Sequence, residues 1–180
     1  MVEKILVGLA VVVVVVVVLV ALQPADYTVV RRATIAAPPA AVFARVNDLH
    51  EFQTWNPFAV DPAAKNMFEG APAGVGAVLA WSGNSQVGEG RMTIIESRPN
   101  ERIRIRLDFA RPFASTAFAE FTFTPEGGRT AVTWSMTGRK NFVSKAIGLV
   151  MSMDRMIGGQ FEQGLATLKS LTETAAAARR

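Results

Sequence analysis

The sequence has no cysteine and a single histidine, His50. That removes a disulfide framework, a thiolate metal site and a cysteine nucleophile. It also removes a multi-histidine zinc site, and any Ser-His-Asp triad would have to use His50. There is no run of five or more lysines and arginines, so the net charge of +4 is weak support for a nucleic-acid partner. A mildly basic surface suits anionic lipid headgroups equally well. The glycines of "GAPAGVGAVLAWSGNSQVGEG" are followed by no Gly-Lys-Ser or Gly-Lys-Thr, and no strand–glycine–helix order surrounds them. They do not make a phosphate loop, and close strand packing or bulges explain them. No cofactor, metal or nucleic acid is expected.

What the chain has in excess is valine. "VGLAVVVVVVVVLVALQPADYTVV" carries eight in a row inside an uncharged run of 18 residues, Ile5 to Leu22. As a helix that run spans about 27 Å, close to the thickness of a bilayer's hydrocarbon core. Valine favours strands in water, but in lipid an open strand leaves its backbone unpaired and a helix is forced. Cleavage after Ala21 or Ala25 would put Leu19 or Gln23 at position −3, poor sites for a signal peptidase. Residues 1–25 are therefore expected to be an uncleaved single-pass anchor with a short linker, of bacterial inner-membrane type. Lys4 on one side and Arg31 with Arg32 on the other nearly balance. A four-residue tail that stays inside would put the rest of the chain outside the cytoplasm. The lead "QPADY" reaches at most about 18 Å, which keeps the following domain at the membrane surface.

Residues 26–176 read as one domain, with 177–180 as a tail. "YTVVRRATI" is a strand. Pro38 and Pro39 open a helix with a Val42, Phe43, Val46 stripe, and Asn47-Asp48 ends it. A second short helix carries Phe52 and Trp55. Six further segments read as strands separated by turn residues. The clearest is "ERIRIRLDF", with Ile103, Ile105 and Leu107 on one face and Arg102, Arg104 and Arg106 on the other. "PEGGR" is a hairpin loop. Beyond Asn141 the period becomes helical. Ser152 caps a fresh start with Asp154 in its first turn, and Phe161, Leu165, Leu168 and Leu171 form one helix face. The expected fold class is α+β: an antiparallel sheet of about six to seven strands, curved around a long C-terminal helix, plus one N-terminal transmembrane helix.

This order resembles the helix-grip fold of the SRPBCC superfamily, which includes START lipid-transfer domains, birch-pollen-allergen-like proteins and polyketide cyclases/dehydrases. "ATIAAPPAAVFARVNDLHEFQTWNP", "GEGRMTIIESRPNERIRIRLDF", "GGRTAVTWSMTG" and "MDRMIGGQFEQGLATLKSLTE" look like the opening, central hairpin, penultimate strand and closing helix of its polyketide cyclase/dehydrase-like branch. The resemblance covers roughly residues 27–175. It implies a cavity for apolar ligands between sheet and helix, and no catalytic motif, since fold does not transfer chemistry.

Trp55, Trp81, Met92, Phe121, Trp134, Met136, Met151, Met153 and Met156 are the candidates for a cavity wall, with adaptable methionines suiting varied ligands. His50, between Asp48 and Glu51, reads as a surface histidine rather than a base or ligand. Arg102, Arg104 and Arg106 read as the solvent side of the sheet. Glu89, Arg91, Asp108 and Glu120 lie on strands, and any one facing inward would be a candidate for acid–base work. "GRKNFVSKAIGLVMSMDRM" either lies in a membrane interface, with Phe142, Leu149, Lys140 and Lys145 in contact, or is buried as a cover on the sheet. The expected function is a membrane-anchored binder of a hydrophobic small molecule or lipid, with the question of catalysis left open. A cyclase/dehydratase-like enzyme and a structural or stress-related membrane protein with a filled core are the alternatives.

Overall fold

The computed structural model describes residues 2–149 and 152–178, so the candidate Met151 lies outside the described residues. A long helix, α1 (Val2–Leu22), precedes the first strand, β1 (Asp26–Ile35). Two short helices follow, α2 (Pro39–Asn47) and α3 (Leu49–Gln53). Six strands come next: β2 (Lys65–Gly70), β3 (Ala77–Ser82), β4 (Glu89–Arg98), β5 (Arg102–Arg111), β6 (Ser115–Glu126) and β7 (Arg129–Arg139). The chain closes with α4 (Phe142–Gly148) and α5 (Met153–Ala177). The strands form one antiparallel sheet in the order β1-β7-β6-β5-β4-β3-β2. This is the α+β helix-grip arrangement the element order implied.

Local chemistry explains the boundaries. Gly127 and Gly128 both take positive φ, at 55° and 82°, and close the two-residue β6–β7 hairpin between paired Glu126 and Arg129. Pro38 precedes α2 in extended geometry, and the Asp48 side chain caps α3 through the His50 N–H. Ser152 caps α5 through the Arg155 N–H. Register shifts at Glu89/Gly90 and Ile94/Glu96 bulge β4, which bends the sheet there.

One face of the sheet is apolar and α5 lies over its β1 side. Phe161, Leu165 and Leu168 are buried there. Polar contacts fix α5 along its length. Arg31 of β1 reaches across Gly158 to Asp154 at 2.7 Å and Glu162 at 2.6 Å. The Ala36 N–H donates to Glu173 at 2.7 Å, and Lys169 Nζ donates to the Thr34 carbonyl at 2.7 Å.

α1 is long and apolar enough to cross a membrane, a property shared with signal sequences. Its side chains are exposed apart from Val20, near its foot. The foot meets α4: Lys145 Nζ donates to the Ala21 carbonyl at 3.2 Å, and the Lys140 N–H donates to the Ala25 carbonyl at 2.7 Å. No residue of α4 is buried, so α4 does not cover the sheet.

Candidate ligand cavity

Strand pairing decides where the inner face is filled and where it is hollow. One inward row runs Arg31–Trp134–Phe121–Ile103 across β1, β7, β6 and β5. Its centre is aromatic. Trp134 stacks on Phe161 at 3.9 Å and on Phe121 at 4.9 Å, with Phe52, Trp55 and Phe58 edge-on around it. Such pairs add stabilisation beyond the area they bury. The Trp134 indole N–H is buried within this cluster without a hydrogen-bond partner.

The next two inward rows contain small residues. Val29–Met136–Ala119–Ile105 is followed by Tyr27–Gly138–Ala117–Leu107–Met92–Leu79. With glycine and alanine on the central strands, the sheet cannot reach α5, and a cavity of about 450 Å³ remains. Aromatic rings border it by occupying the space that glycines leave. Trp81 covers its partner Gly90, where a Cβ would come within 2.5 Å of the ring. Tyr27 covers its partner Gly138 in the same way.

Trp81, Met92, Phe121, Trp134, Met136, Met153 and Met156 all line this cavity. Trp55 does not. It sits one layer behind the wall, packed on Phe52 at 4.6 Å, with its indole N–H donated to the Arg45 carbonyl at 3.1 Å. Sequence reasoning missed Tyr27, Phe58, Phe109 and Gln160, which also line it. The alternation of β1 around buried Val29 carries the inward parity of Tyr27. Nothing in the sequence marks Phe58, which lies in the loop after α3.

The rim is built at one end of the sheet. It comprises the β3–β4 loop at Gln86 to Gly88, the β5–β6 loop at Phe113, the start of α4 at Asn141 and Ser144, and the first turn of α5. The pairings Asp26–Arg139, Phe109–Ser115, Glu89–Arg111 and Ser82–Glu89 mark that same end. Asp26 begins β1, so the rim shares its end of the sheet with the foot of α1. Phe113 is 49% exposed, Phe142 53%, Ile147 46% and Leu149 42%, giving this end an apolar fringe. Lys140 and Lys145 stand among them, tied to the chain just before β1.

Charge is scarce inside. Asp61 lines the cavity, but its carboxylate accepts the Ala63 N–H at 3.0 Å and the Asn84 N–H at 2.8 Å. Arg111 lines the rim and is paired with Glu89. Arg91, Asp108 and Glu120 lie on the outer face, paired with Glu69, Arg106 and Arg102. Partial burial pushes the Asp108 carboxyl up, but the Thr116 hydroxyl and the Arg106 guanidinium outweigh it and hold the group below the usual carboxylate range. Arg102, Arg104 and Arg106 share that outer face, Arg104 over the Phe118 ring at 4.9 Å.

His50 is stacked on Phe68 at 3.8 Å beside a second, smaller cleft of about 180 Å³. That cleft is open and holds Glu69 as its only carboxylate. Among the described residues no group of three or more metal-ligating side chains gathers. The larger cavity, between sheet and α5, is the candidate site.

The fold recurs in solved structures at low identity. A protein of Chromobacterium violaceum matches with a TM-score of 0.60 at 17% identity, over 81% of this chain and 96% of that one. The structure of Ara h 8.0201 matches with a TM-score of 0.54 at 12% identity, over 85% of this chain and 99% of that one. The di-domain aromatase/cyclase StfQ of the steffimycin biosynthetic pathway matches with a TM-score of 0.63 at 12% identity, over 85% of this chain and 52% of that one. No curated protein matches. The family model described as polyketide cyclase / dehydrase and lipid transport matches residues 26–173. The chain belongs to that family.

Proposed function

We propose that the protein is a membrane-anchored binder of a hydrophobic small molecule or lipid, held in the cavity between sheet and α5 with its mouth toward the bilayer. The observation that carries this reading is the shared end: the apolar rim of the cavity and the foot of α1 sit at the same edge of the sheet. Only residues 23–25 separate α1 from β1. A cavity of about 450 Å³ is within the range of small-molecule sites and argues against a filled core. An apolar ligand dissolved in lipid would meet such a mouth at high effective concentration.

The cyclase/dehydratase reading needs an acid–base pair facing the ligand. Asp61 and Arg111 are the charged groups on the cavity wall among the described residues, and each is already engaged. Binding is therefore the better-supported reading.

The test uses the full chain in lipid nanodiscs with aminoanthracene, an uncharged fluorophore that brightens in apolar cavities. The wild type is expected to enhance its emission above that of empty nanodiscs. Ala119→Phe, which fills the hollow beside Met136, is expected to lose most of that enhancement while remaining folded. Equal emission from both proteins would sink the reading.

A further inference from the structure

The cavity wall is mostly apolar, and the Tyr27 hydroxyl on it makes no hydrogen bond among the described residues. Tyr27 lies on β1 directly opposite Gly138 of β7. The absence of a side chain at Gly138 lets the ring fold inward across β7. A Cβ there would lie 2.7 Å from the Tyr27 hydroxyl oxygen, so that oxygen sits over the strand, at the cavity's mouth half. Burial raises the pKa of this hydroxyl, and no hydrogen bond contributes to the shift. Among the described residues no donor or acceptor reaches it.

The neighbouring polar groups are uncharged or spent. Gln160, Asn66, Ser115 and Ser144 bring amides and hydroxyls to the wall. Asn141 caps α4 through the Ser144 N–H. Asp61 is held by two backbone N–H groups, and Arg111 is paired with Glu89. The lining thus offers hydrogen bonds without a free counter-ion, Lys140 and Lys145 standing outside it on the fringe.

We infer that the cavity takes an uncharged amphiphile whose carbonyl or hydroxyl oxygen accepts a hydrogen bond from Tyr27. This rests on the reading of the cavity as a ligand site. A carboxylate or phosphate head beside Tyr27 would be stripped of water with no unpaired cation among the lining residues to receive it, a costly transfer. A pure hydrocarbon would leave the Tyr27 hydroxyl half-buried and unpaired, which wastes binding energy. A ketone, ester or alcohol avoids both penalties, with its chain toward Trp134 and its oxygen at the mouth.

The test displaces aminoanthracene from the full chain in nanodiscs with three probes of equal carbon number: tetradecane, methyl dodecyl ketone and tetradecanoate. The buffer is held well above the carboxyl pKa. The ketone is expected to bind about fivefold or more tighter than the alkane, the effect of one neutral hydrogen bond. Tetradecanoate is expected to bind about tenfold or more weaker than the ketone, because its charge finds no partner. Tyr27→Phe keeps the ring over Gly138, and is expected to bring the ketone to the alkane's affinity while leaving the alkane unchanged. Tetradecanoate binding as tightly as the ketone would overturn the inference. So would a ketone preference that survives in Tyr27→Phe. If the dye and the alkane also fail to bind, the cavity itself is no ligand site and both readings fall. Alkane binding without a ketone preference overturns only the role of Tyr27.

Discussion

Gly159 and Gly164 lie on the same helix and carry opposite expectations. At Gly164 a Cβ would lie 2.9 Å from the Pro57 ring and 3.0 Å from Trp134, because α5 lies against both there. At Gly159 nothing lies within 4 Å. Alanine gains about 1 kcal/mol of helix propensity at either site. At Gly164 that gain is outweighed by overpacking, which costs roughly 1–3 kcal/mol. Gly164→Ala is therefore expected to lower unfolding stability by about 1 kcal/mol, and Gly159→Ala to raise it by up to about 1 kcal/mol. Urea unfolding of the two variants in one detergent checks the pair. Equal shifts would mean that α5 does not press on Trp134 as described. The same scale explains why the hollow exists at all. Gly138, Ala117 and Ala119 are ordinary residues in the sequence, and only their alignment across β7 and β6 leaves the inner face low there, with Ala119 on the cavity wall and Gly138 under the Tyr27 ring.

At the scale of elements, α5 is fastened to β1 by groups that titrate. The Arg31 guanidinium outweighs burial and holds the Asp154 carboxyl below its usual range. The Ala36 N–H and then Lys169 hold the Glu173 carboxyl low near the far end of α5. A carboxyl whose folded pKa is depressed adds stability above its unfolded pKa, about 3.9 for aspartate, and loses it as pH falls through the lower folded value. Protection of the first turns of α5 from amide exchange is thus expected to hold from neutral pH down to about 4 and to fall below that. In Arg31→Gln that protection is expected to be low throughout. A first turn equally protected at every pH would contradict the fastening.

Much of the elements' order was legible because their signals are local. The Ile103–Ile105 alternation of β5, the Ser152 cap with Asp154, and the Phe161–Leu165–Leu168 stripe each depend on residues a few positions apart. The seven cavity residues on strands and α5 follow from the same parities. Trp55 and Phe58 were not legible, since each lies past the end of α3, where no period assigns a direction. The exposure of α4 was not legible either. An apolar seven-residue helix looks the same on paper whether it covers a sheet or flanks a mouth, and its partner, the foot of α1, lies more than a hundred residues away in sequence.

For the whole molecule, orientation is the property that matters, and the lack of cysteine makes it measurable. A single cysteine introduced by Phe113→Cys, Ile147→Cys or Glu126→Cys can carry a fluorophore with no background labelling. Phe113 and Ile147 fringe the mouth, and Glu126 closes the hairpin at the opposite end of the sheet. With nitroxide-bearing lipid chains in the nanodisc, the first two labels are expected to be quenched and the third left bright. Similar quenching at all three positions would put the mouth elsewhere. The three residues between α1 and β1 then have a further consequence. Fully stretched, the step from Leu22 to Asp26 covers about 14 Å, less than half a bilayer's thickness. On the proposed reading, a binder on such a leash could not ferry cargo across an aqueous gap to another membrane. Its traffic would then be confined to two dimensions, as a store or a hand-over point among neighbours in one sheet of lipid.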